Sequence, residues 1–568
     1  MKTRLTLAAL LPGLLVSPSA LAAKTLAEPG AELFTNGPVL QFHIEISKVG
    51  MEWLRKDPKK YVPAQVTEGT NLYPDVAVHL KGAAGSFRGV DDLPALTLHF
   101  GKFTPEQDFH ELHKIHLNNS VQDRSFSTEY ICGGMMHAAG VPAPRVTNAR
   151  VWLNGKHLGF YTMIEGFNKD FLGRYFKNTK GNLYDGGFLQ EVNGNLERDM
   201  GDGPNDRADL KALIDAAQEP DPLLRWTRLD KVLDLDRFIS YMAMEILTWD
   251  WDGYPLNRNN YRVYHDPATD KLIFFPHGMD QMFQNPGAGA LRPNFNGLVA
   301  AAVMKTPQGR QLYKQRLGTL FTNVYQLEVL TNKLAELHAR NRPTLAEISR
   351  DEARAYDDRI RETRDRMVQR WRSIAQELSL PEPVPLPFTN GIAAVLNWRV
   401  AEDRPTEKGH AKLERVKDSD SRQTLSIVAT TNTTASWRSK ILLEGGRYRF
   451  EGLARAAQII PLPIKPLPQP QPEQNQNQTA EKKGEGAGLR ISGTQKPREN
   501  KIAGDGPWTK LTYEFDVVPP NDEVELVCEL RAKTGQVWFD LDSLRLVKVP
   551  PVATASGPAS GPAPGPGK

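Results

Sequence analysis

The 568-residue chain carries 71 Lys and Arg against 67 Asp and Glu, a net charge of +4 at neutral pH with both signs interspersed. That length suffices for two or more domains with cores of their own, and so mild a balance calls for neither nucleic acid nor an anionic membrane as partner. C-x-x-C, H-E-x-x-H and G-x-S-x-G are absent, which argues against zinc-hydrolase and α/β-hydrolase chemistry.

Residues 1–23 place Lys2 and Arg4 before an apolar run over 5–16, with Ala20 and Ala22 in small-residue cleavage positions. This is the layout of a secretory signal, so the mature chain is expected to begin near Ala23 or Lys24 and to be secreted or periplasmic. No later apolar run is long enough to span a bilayer, and no transmembrane segment is expected in the mature chain. Alternation predicts strands over 39–46, 76–80, 96–100 and 114–117. Between the second and third lies KGAAGSFR, a small-residue turn flanked by Lys81 and Arg88, whose backbone amides could approach a phosphate. A helix is expected over 125–139, stopped by Gly140 and Pro142, with Glu129 in its first turns. Asn154-Gly155 then splits two alternating runs, which predicts a β-hairpin with a type I′ turn over 150–167.

Helices are expected over 206–218, 222–233 and 235–249, and again through 311–378, where Leu327, Leu330, Leu334 and Leu337 recur at helical spacing. Between these regions lies the stretch that attracts chemistry, residues 248–283. Asp252 opens a loop in which Asn257, Asn259 and Asn260 could turn oxygen toward a shared point. Asp280 follows an apolar strand over 272–276. Asp252 and Asn257 repeat the D-x-x-x-x-N spacing of a kinase catalytic loop, where the Asp takes a hydroxyl proton and the Asn supplies oxygen to a metal. Ordinary turn chemistry explains the same residues, because Asp and Asn bond their own backbone. A calcium loop starting at Asp250 fails, since Tyr261 stands where the bidentate Glu should be. His110, His113 and His116 recur every three residues but lie in an expected loop and strand, so they share no face.

After a proline run at 381–388, a stiff linker, the strands become short, over 411–416, 423–429, 440–443, 448–454, 488–492, 508–518, 524–532 and 535–547. That spacing suggests an antiparallel, jelly-roll-like β-sandwich over 389–549. An insertion near 464–487 and the tail at 550–568 are too polar or proline-rich to pack and are expected to be disordered. Cys132 and Cys528 fall in different domains; they could pair in an oxidising compartment, but each is expected as a small hydrophobe in its own core.

The wording of the chain goes further than its spacing. DGYPLNRNNYRVYHDP and FFPHGMDQMF, with LKGAAGSFR, LHKIHLNN, GVPAPRVTNARVWLNGKHLGFYTMIEGFNKDFL and GNLYDGG before them, resemble the CotH family of atypical protein kinases, first known from spore coats. The resemblance covers roughly residues 76–283 and implies an α+β, kinase-like bilobal core over 24–380, with a β-rich small lobe and a mainly helical large lobe. It implies an ATP-dependent phosphotransferase using Mg2+ or Mn2+ and acting on hydroxyl side chains of extracytoplasmic proteins. In that reading Asp252 is the catalytic-loop carboxylate and Asp280 the metal carboxylate. Asn260 matches the family's Asn-Tyr pair and Asn257 the spacing of ordinary kinases, so both stand as metal ligands. Gly82, Gly85 and Ser86 would cradle phosphate with Lys81 and Arg88, and Glu165, at the exit of the hairpin, would stand at the hinge that binds adenine through its backbone. Leu93 and His99 occupy places where many members carry basic residues, which leaves Lys114 as the expected partner of Glu129. The end of the chain, GQVWFDLDSLRLVKV, resembles the last strand of jelly-roll carbohydrate-binding modules, so a glycan or another surface is the partner expected there. The alternative is a non-catalytic, pseudokinase-like surface or matrix-binding protein.

Overall fold

The computed structural model describes residues 28–550 except 36, 84, 288–289, 382–383, 403–410, 419, 464–485 and 494–499. The expected leader at 1–23, the insertion over 464–485 and the tail from 551 lie outside the described residues. The chain divides into two compact units, the first ending at Ser379 and the second beginning at Leu380.

The first unit opens with β1 (Leu40–Ile46), α1 (Lys48–Lys56), β2 (Val62–Glu68), β3 (Asn71–Lys81), β4 (Ala95–His99), β5 (Lys114–Asn118), α2 (Thr128–Ala138), β6 (Val146–Leu153) and β7 (Lys156–Glu165). These strands close into a barrel in the order β1-β2-β3-β4-β5-β7-β6. The closing seam is a parallel pairing of β1 with β6, with Phe42 opposite Val151. Period-two alternation fills the interior: Phe42, Ile44, Val78, Leu80, Leu98, Ile115, Leu117 and Val151 are fully buried in one cluster. Asn154 and Gly155 both take positive φ, 48° and 75°, as a type I′ turn requires. Neither α1 nor β2 is expected from the sequence pattern, since α1 is short with Gly50 inside it and β2 carries Pro63 near its start.

Beyond the barrel come α3 (Lys169–Tyr175), β8 (Leu183–Asp185), β9 (Glu197–Met200), α4 (Ala208–Gln218), α5 (Pro222–Val232), α6 (Leu235–Thr248), α7 (Tyr254–Asn257), β10 (Tyr261–Asp266) and β11 (Lys271–Pro276). The four strands pair in the order β11-β10-β8-β9. Four further helices complete the unit: α8 (Leu298–Met304), α9 (Pro307–Asn323), α10 (Leu327–Ile348) and α11 (Arg350–Ser379). Almost every residue of α6 is buried, which makes it the axis of the helical body. Its C-terminus is fixed by Arg370 of α11, a fully buried side chain that donates to Leu247 O at 3.1 Å and Ile246 O at 2.5 Å. A cation on the last carbonyls of a helix is favoured by the dipole. Here it also sets where the Asp252 loop begins.

The second unit contains β12 (Ile392–Ala394), β13 (Arg399–Glu402), β14 (Ala411–Lys417), β15 (Gln423–Ala429), β16 (Thr433–Pro461), β17 (Gly486–Ile491), β18 (Lys501–Ile502), β19 (Gly504–Asp540) and β20 (Arg545–Val549). Several short strands expected from the sequence are continuous in β16 and β19, which carry the chain around a bend. Thr433 faces Ala532 and Leu443 faces Asp522 before the bend; Arg447 faces Asp516 and Leu453 faces Lys510 after it. One core gathers Trp398, Trp437, Phe450, Tyr513, Cys528 and Phe539. Gly486 and Ala487, expected within the unpacked insertion, instead pair with Arg531 and Leu530. Cys132 and Cys528 are both buried free thiols. Among the described residues no helix is long and apolar enough to cross a membrane.

Candidate functional site

A cleft of about 430 Å3 in the first unit is lined from one side by barrel residues and from the other by the loops around β10 and β11. On β5, Ile115 and Leu117 point into the barrel core, so Lys114, His116 and Asn118 face the cleft; on β3, His79 and Lys81 do the same. The other wall supplies Asp185 from β8, Asp252, Asn260 and Arg262 around the start of β10, and Asp280 after β11.

Asp252 owes its position to a turn that starts at Trp249, which caps α6 in the left-handed conformation. Its Oδ1 accepts from Asn257 Nδ2 at 2.7 Å, and its Oδ2 accepts from Asn259 Nδ2 at 2.9 Å and Asn260 Nδ2 at 3.1 Å. Three neutral amides therefore hold the carboxylate without cancelling its charge. The shared point is thus met by nitrogen and not by oxygen: Asn257 and Asn260 present N–H to Asp252, which leaves the Oδ1 of each as the atom a metal would take. Asn260 also bridges the two loops, since its backbone oxygen accepts from His277 N at 3.0 Å. It sits at φ 52°, a region Asn tolerates better than most residues. Gly278 is at φ 63°, and a Cβ there would lie 3.0 Å from the Asn260 side chain, so glycine is needed where the loops touch.

Asp280 lies in the short 3-10 turn Met279–Gln281 that follows Gly278. Burial pushes its carboxyl well above the usual range, and the nearby Glu129 and Asp123 carboxylates push it further. Glu129, 5% exposed, accepts from Asn118 Nδ2 at 3.1 Å, and burial raises it too, against the pull of Lys81. Asp123 accepts from the amides of Ser127 at 3.2 Å and Thr128 at 2.9 Å, which starts α2 and places Glu129 in its first turn. Burial lowers the Lys81 ammonium, while Glu129 and Asp280 oppose that shift. Lys81 is thus the lysine whose charge acts on Glu129, without a direct ion pair between them, and the expected pairing of Glu129 with Lys114 is corrected, since Glu129 is not among the charges that act on Lys114. Lys114 is lowered by burial and by Arg262, and its attractive neighbours are Asp199 and Asp185.

Arg262, Asp185 and Lys59 belong to the cleft and were not singled out from the sequence. Arg262 donates to Asp185 Oδ2 at 2.7 Å and pairs with Asp199; only the alternation of β10 hinted that it faces inward. Lys59 donates to Gly82 O at 3.3 Å, and nothing local marked it. Burial drives His79 and His277 down to about 4, so both are neutral near pH 7 and the cleft's positive charge comes from Lys59, Lys81, Lys114 and Arg262.

The glycine turn enters only in part. Gly82 and Ser86 line the cleft together with Lys81. Ser86 Oγ accepts from Ala83 N at 3.3 Å, and Gly82 and Gly85 take φ 105° and 87°. Gly85 and Arg88 are not in the lining. Arg88 folds back on its own loop, donating to Phe87 O at 2.7 Å and Gly85 O at 3.2 Å. Glu165 also departs from its expected part. Its N–H is donated to Arg145 O at 2.9 Å and the next one, of Gly166, to Lys114 O at 3.0 Å. Its carboxylate, fully buried, binds Arg145 at 2.8 Å and Arg174 at 2.6 Å. Glu165 is an internal ion-pair centre, and its amide is not free for an adenine.

The donor set fits a hard divalent cation of the kind that keeps water and takes its remaining ligands from phosphate. Among the described residues no group of three or more His, Cys, Asp or Glu side chains could hold a metal on its own. The Asp280 carboxylate, raised by burial and then by Glu129, and the Glu129 carboxylate, raised by burial and by Asp123, are what a cation would relieve.

The family model described as CotH kinase protein matches residues 91–376, just over half of the chain. The chain belongs to the CotH family. The chain is 28% identical over 219 residues to Invasin CotH3 of Rhizopus delemar, 34% of each chain, and 28% over 190 residues to Invasin CotH2 of the same organism, 29% of this chain and 31% of that one. It is 21% identical over 285 residues to Inner spore coat protein H of Bacillus subtilis, 45% of this chain and 76% of that one. The chain therefore spans about a third of the length of the two invasins. Among solved structures, TmCBM61 in complex with beta-1,4-galactotriose matches 28% of this chain and 92% of its own at 12% identity and a TM-score of 0.18. A sugar-binding protein from Bacteroides thetaiotaomicron matches 30% and 95% at 15% identity and 0.18.

Proposed function

We propose that the CotH domain is an ATP-dependent protein kinase with a kinase-like bilobal core, the barrel acting as small lobe and the helical body as large lobe. The observation that carries this is Asp252, a carboxylate clamped by three amide donors in the same cleft as the Lys81, Glu129 and Asp280 cluster. Phosphoryl transfer needs positioning and charge neutralisation more than covalent partners. Asp252 orients the acceptor hydroxyl and takes its proton as the hydroxyl oxygen bonds to the γ-phosphorus and the bond to the β,γ-bridging oxygen breaks, releasing ADP. Lys81, steadied by Glu129, meets the phosphates, with Lys59 and Lys114 beside it. Asp280 would hold Mg2+ or Mn2+, which supplies charge neutralisation on the phosphate oxygens.

The leader-like residues 1–23 and relatives named as invasins and as a spore coat protein support an extracytoplasmic site of action. The test is incubation of the purified protein with labelled ATP, Mg2+ or Mn2+ and secreted proteins. Incorporation lost in Asp252→Asn and Asp280→Ala is expected; no incorporation and no thermal shift with nucleotide would overturn the reading. A second, non-catalytic reading is favoured by one observation, the occupied N–H groups of Glu165 and Gly166. For the second unit we propose a glycan partner. Arg455 lies over Trp538 at 4.6 Å and Trp508 at 5.4 Å, and the Trp508 indole N–H has no acceptor among the described residues. Both rings are partly exposed, with Arg455 over both and Arg422 over Trp508 at 5.4 Å, so a sugar would meet a mixed aromatic and guanidinium surface.

A further inference from the structure

A second cavity of the first unit, about 250 Å3, lies against α2 and shares none of the charged residues of the cleft. Tyr130, Gly133, Gly134 and His137 form its floor, a stripe at the i, i+3, i+4, i+7 spacing of one helix face. Arg145 from just before β6, Arg174 of α3 and Lys333 of α10 line the rest. Arg145 and Arg174 share a single carboxylate, Glu165, so two guanidinium groups and an ammonium stand against one negative charge. Arg145 is 8% exposed. Its Nη2 donates to Pro29 O and Glu165, but its Nη1 and the Nε of Arg174 have no hydrogen-bond partner among the described residues. Those two nitrogens are buried away from the cavity, so an anion there is met by the remaining edges of Arg145 and Arg174 and by Lys333, three cations that share the one Glu165 carboxylate.

The glycines point the same way. Gly133 is explained by packing, since a Cβ there would lie 3.3 Å from Pro144 O. Gly134 is not: a Cβ there would meet nothing within 4 Å. A glycine inside a helix costs about 1 kcal/mol relative to alanine, and at this position its consequence is an open floor beside the arginines.

We propose that this cavity binds a phosphate monoester through Arg145, Arg174 and Lys333. Guanidinium forks match phosphate oxygens in number and geometry, and the volume admits one phosphoryl group with a short substituent. The ligand joins α2 to α3 and α10. Because α2 carries Glu129, its occupancy steadies the Glu129–Lys81 interaction, a consequence that rests on the kinase reading, whereas the binding itself does not.

The test is calorimetric titration of the full chain, without nucleotide or divalent metal, with inorganic phosphate and with O-phosphoserine. Gly134→Phe, from a Cβ that would meet nothing within 4 Å, puts a ring over the floor, Lys333→Glu reverses an exposed rim charge, and Lys81→Met disables the cleft. Expected are binding by wild type and by Lys81→Met, loss in Gly134→Phe, and about tenfold weaker binding in Lys333→Glu. O-phosphoserine binding tighter than phosphate supports a phosphorylated side chain as the monoester; equal or weaker binding would overturn the monoester assignment. Unchanged binding in Gly134→Phe, or loss in Lys81→Met alone, would overturn the proposal, and should Gly134→Phe fail to fold, unchanged binding in Lys333→Glu would do so. These outcomes are independent of whether labelled ATP is turned over.

Discussion

Asp252→Asn separates a catalytic carboxylate from a turn-former, and the structure fixes what each would cost. All three partners of Asp252 donate: Asn257 to Oδ1, and Asn259 and Asn260 to Oδ2. An amide has one accepting oxygen, so its NH2 must face a donor at one side of the clamp. The smallest loss follows if the new oxygen keeps Asn259 and Asn260 and the Asn257 bond is broken, leaving a half-buried donor short of an acceptor at about 1–3 kcal/mol. Taking ~2–4 °C per kcal/mol for a domain of 150–250 residues as an upper guide, the melting temperature should fall by a few degrees. Nucleotide affinity should survive, because Lys81 and Asp280 are untouched. Turnover should fall on the order of 10²–10⁴-fold, the usual loss of a positioned base. Differential scanning fluorimetry with and without Mg2+-ATP, beside a radiolabel assay, reads all three quantities. Near wild-type phosphorylation would refute the catalytic assignment, and an unchanged melting temperature would refute the three-donor clamp.

Lys81→Met should abolish the thermal shift given by Mg2+-ATP, while Lys114→Met should reduce it only partly; the opposite order, read by the same fluorimetry, would restore Lys114 as the partner of Glu129. Glu245 of α6 is fully buried, neither of its carboxyl oxygens has a hydrogen bond of full geometry among the described residues, and burial, then Asp250, raise it well above its ordinary 4.5 against the pull of the Tyr241 hydroxyl. Its folded form keeps the proton while the unfolded chain loses it, so stability falls as pH rises above about 4.5 until the folded group also ionises. Glu245→Gln should melt higher than wild type at pH 8, the gap closing toward pH 4, and a pH-independent difference would show that Glu245 is charged. Residues 380–550 expressed alone should melt cooperatively with β-type circular dichroism, since their core closes on itself; a non-cooperative melt would count against an independent sandwich.

Local pattern was enough for many of the elements, α1 and β2 excepted, and for the family. The Asn154-Gly155 hairpin, the helices around 208–248 and the apolar strand that delivers Asp280 each follow from spacing and turn chemistry, forces that act within a few residues. The blocks around Asp252 and Asp280 likewise carried the CotH resemblance. What local pattern leaves undetermined is which face meets which. Alternation sets Lys114, His116 and Asn118 on one side of β5, yet it is Lys81 on β3, two strands away in the barrel, whose charge acts on Glu129, a choice made by how the strands are ordered in space and not along the chain. The direction of the three Asn amides, nitrogen toward Asp252, depends on a carboxylate that takes only donors. The capture of Glu165 by Arg145 and Arg174 depends on two cations from separate elements finding one buried anion. Charge and hydrogen bonding over such sequence distances are decided by packing, and packing exists only once the tertiary structure has formed.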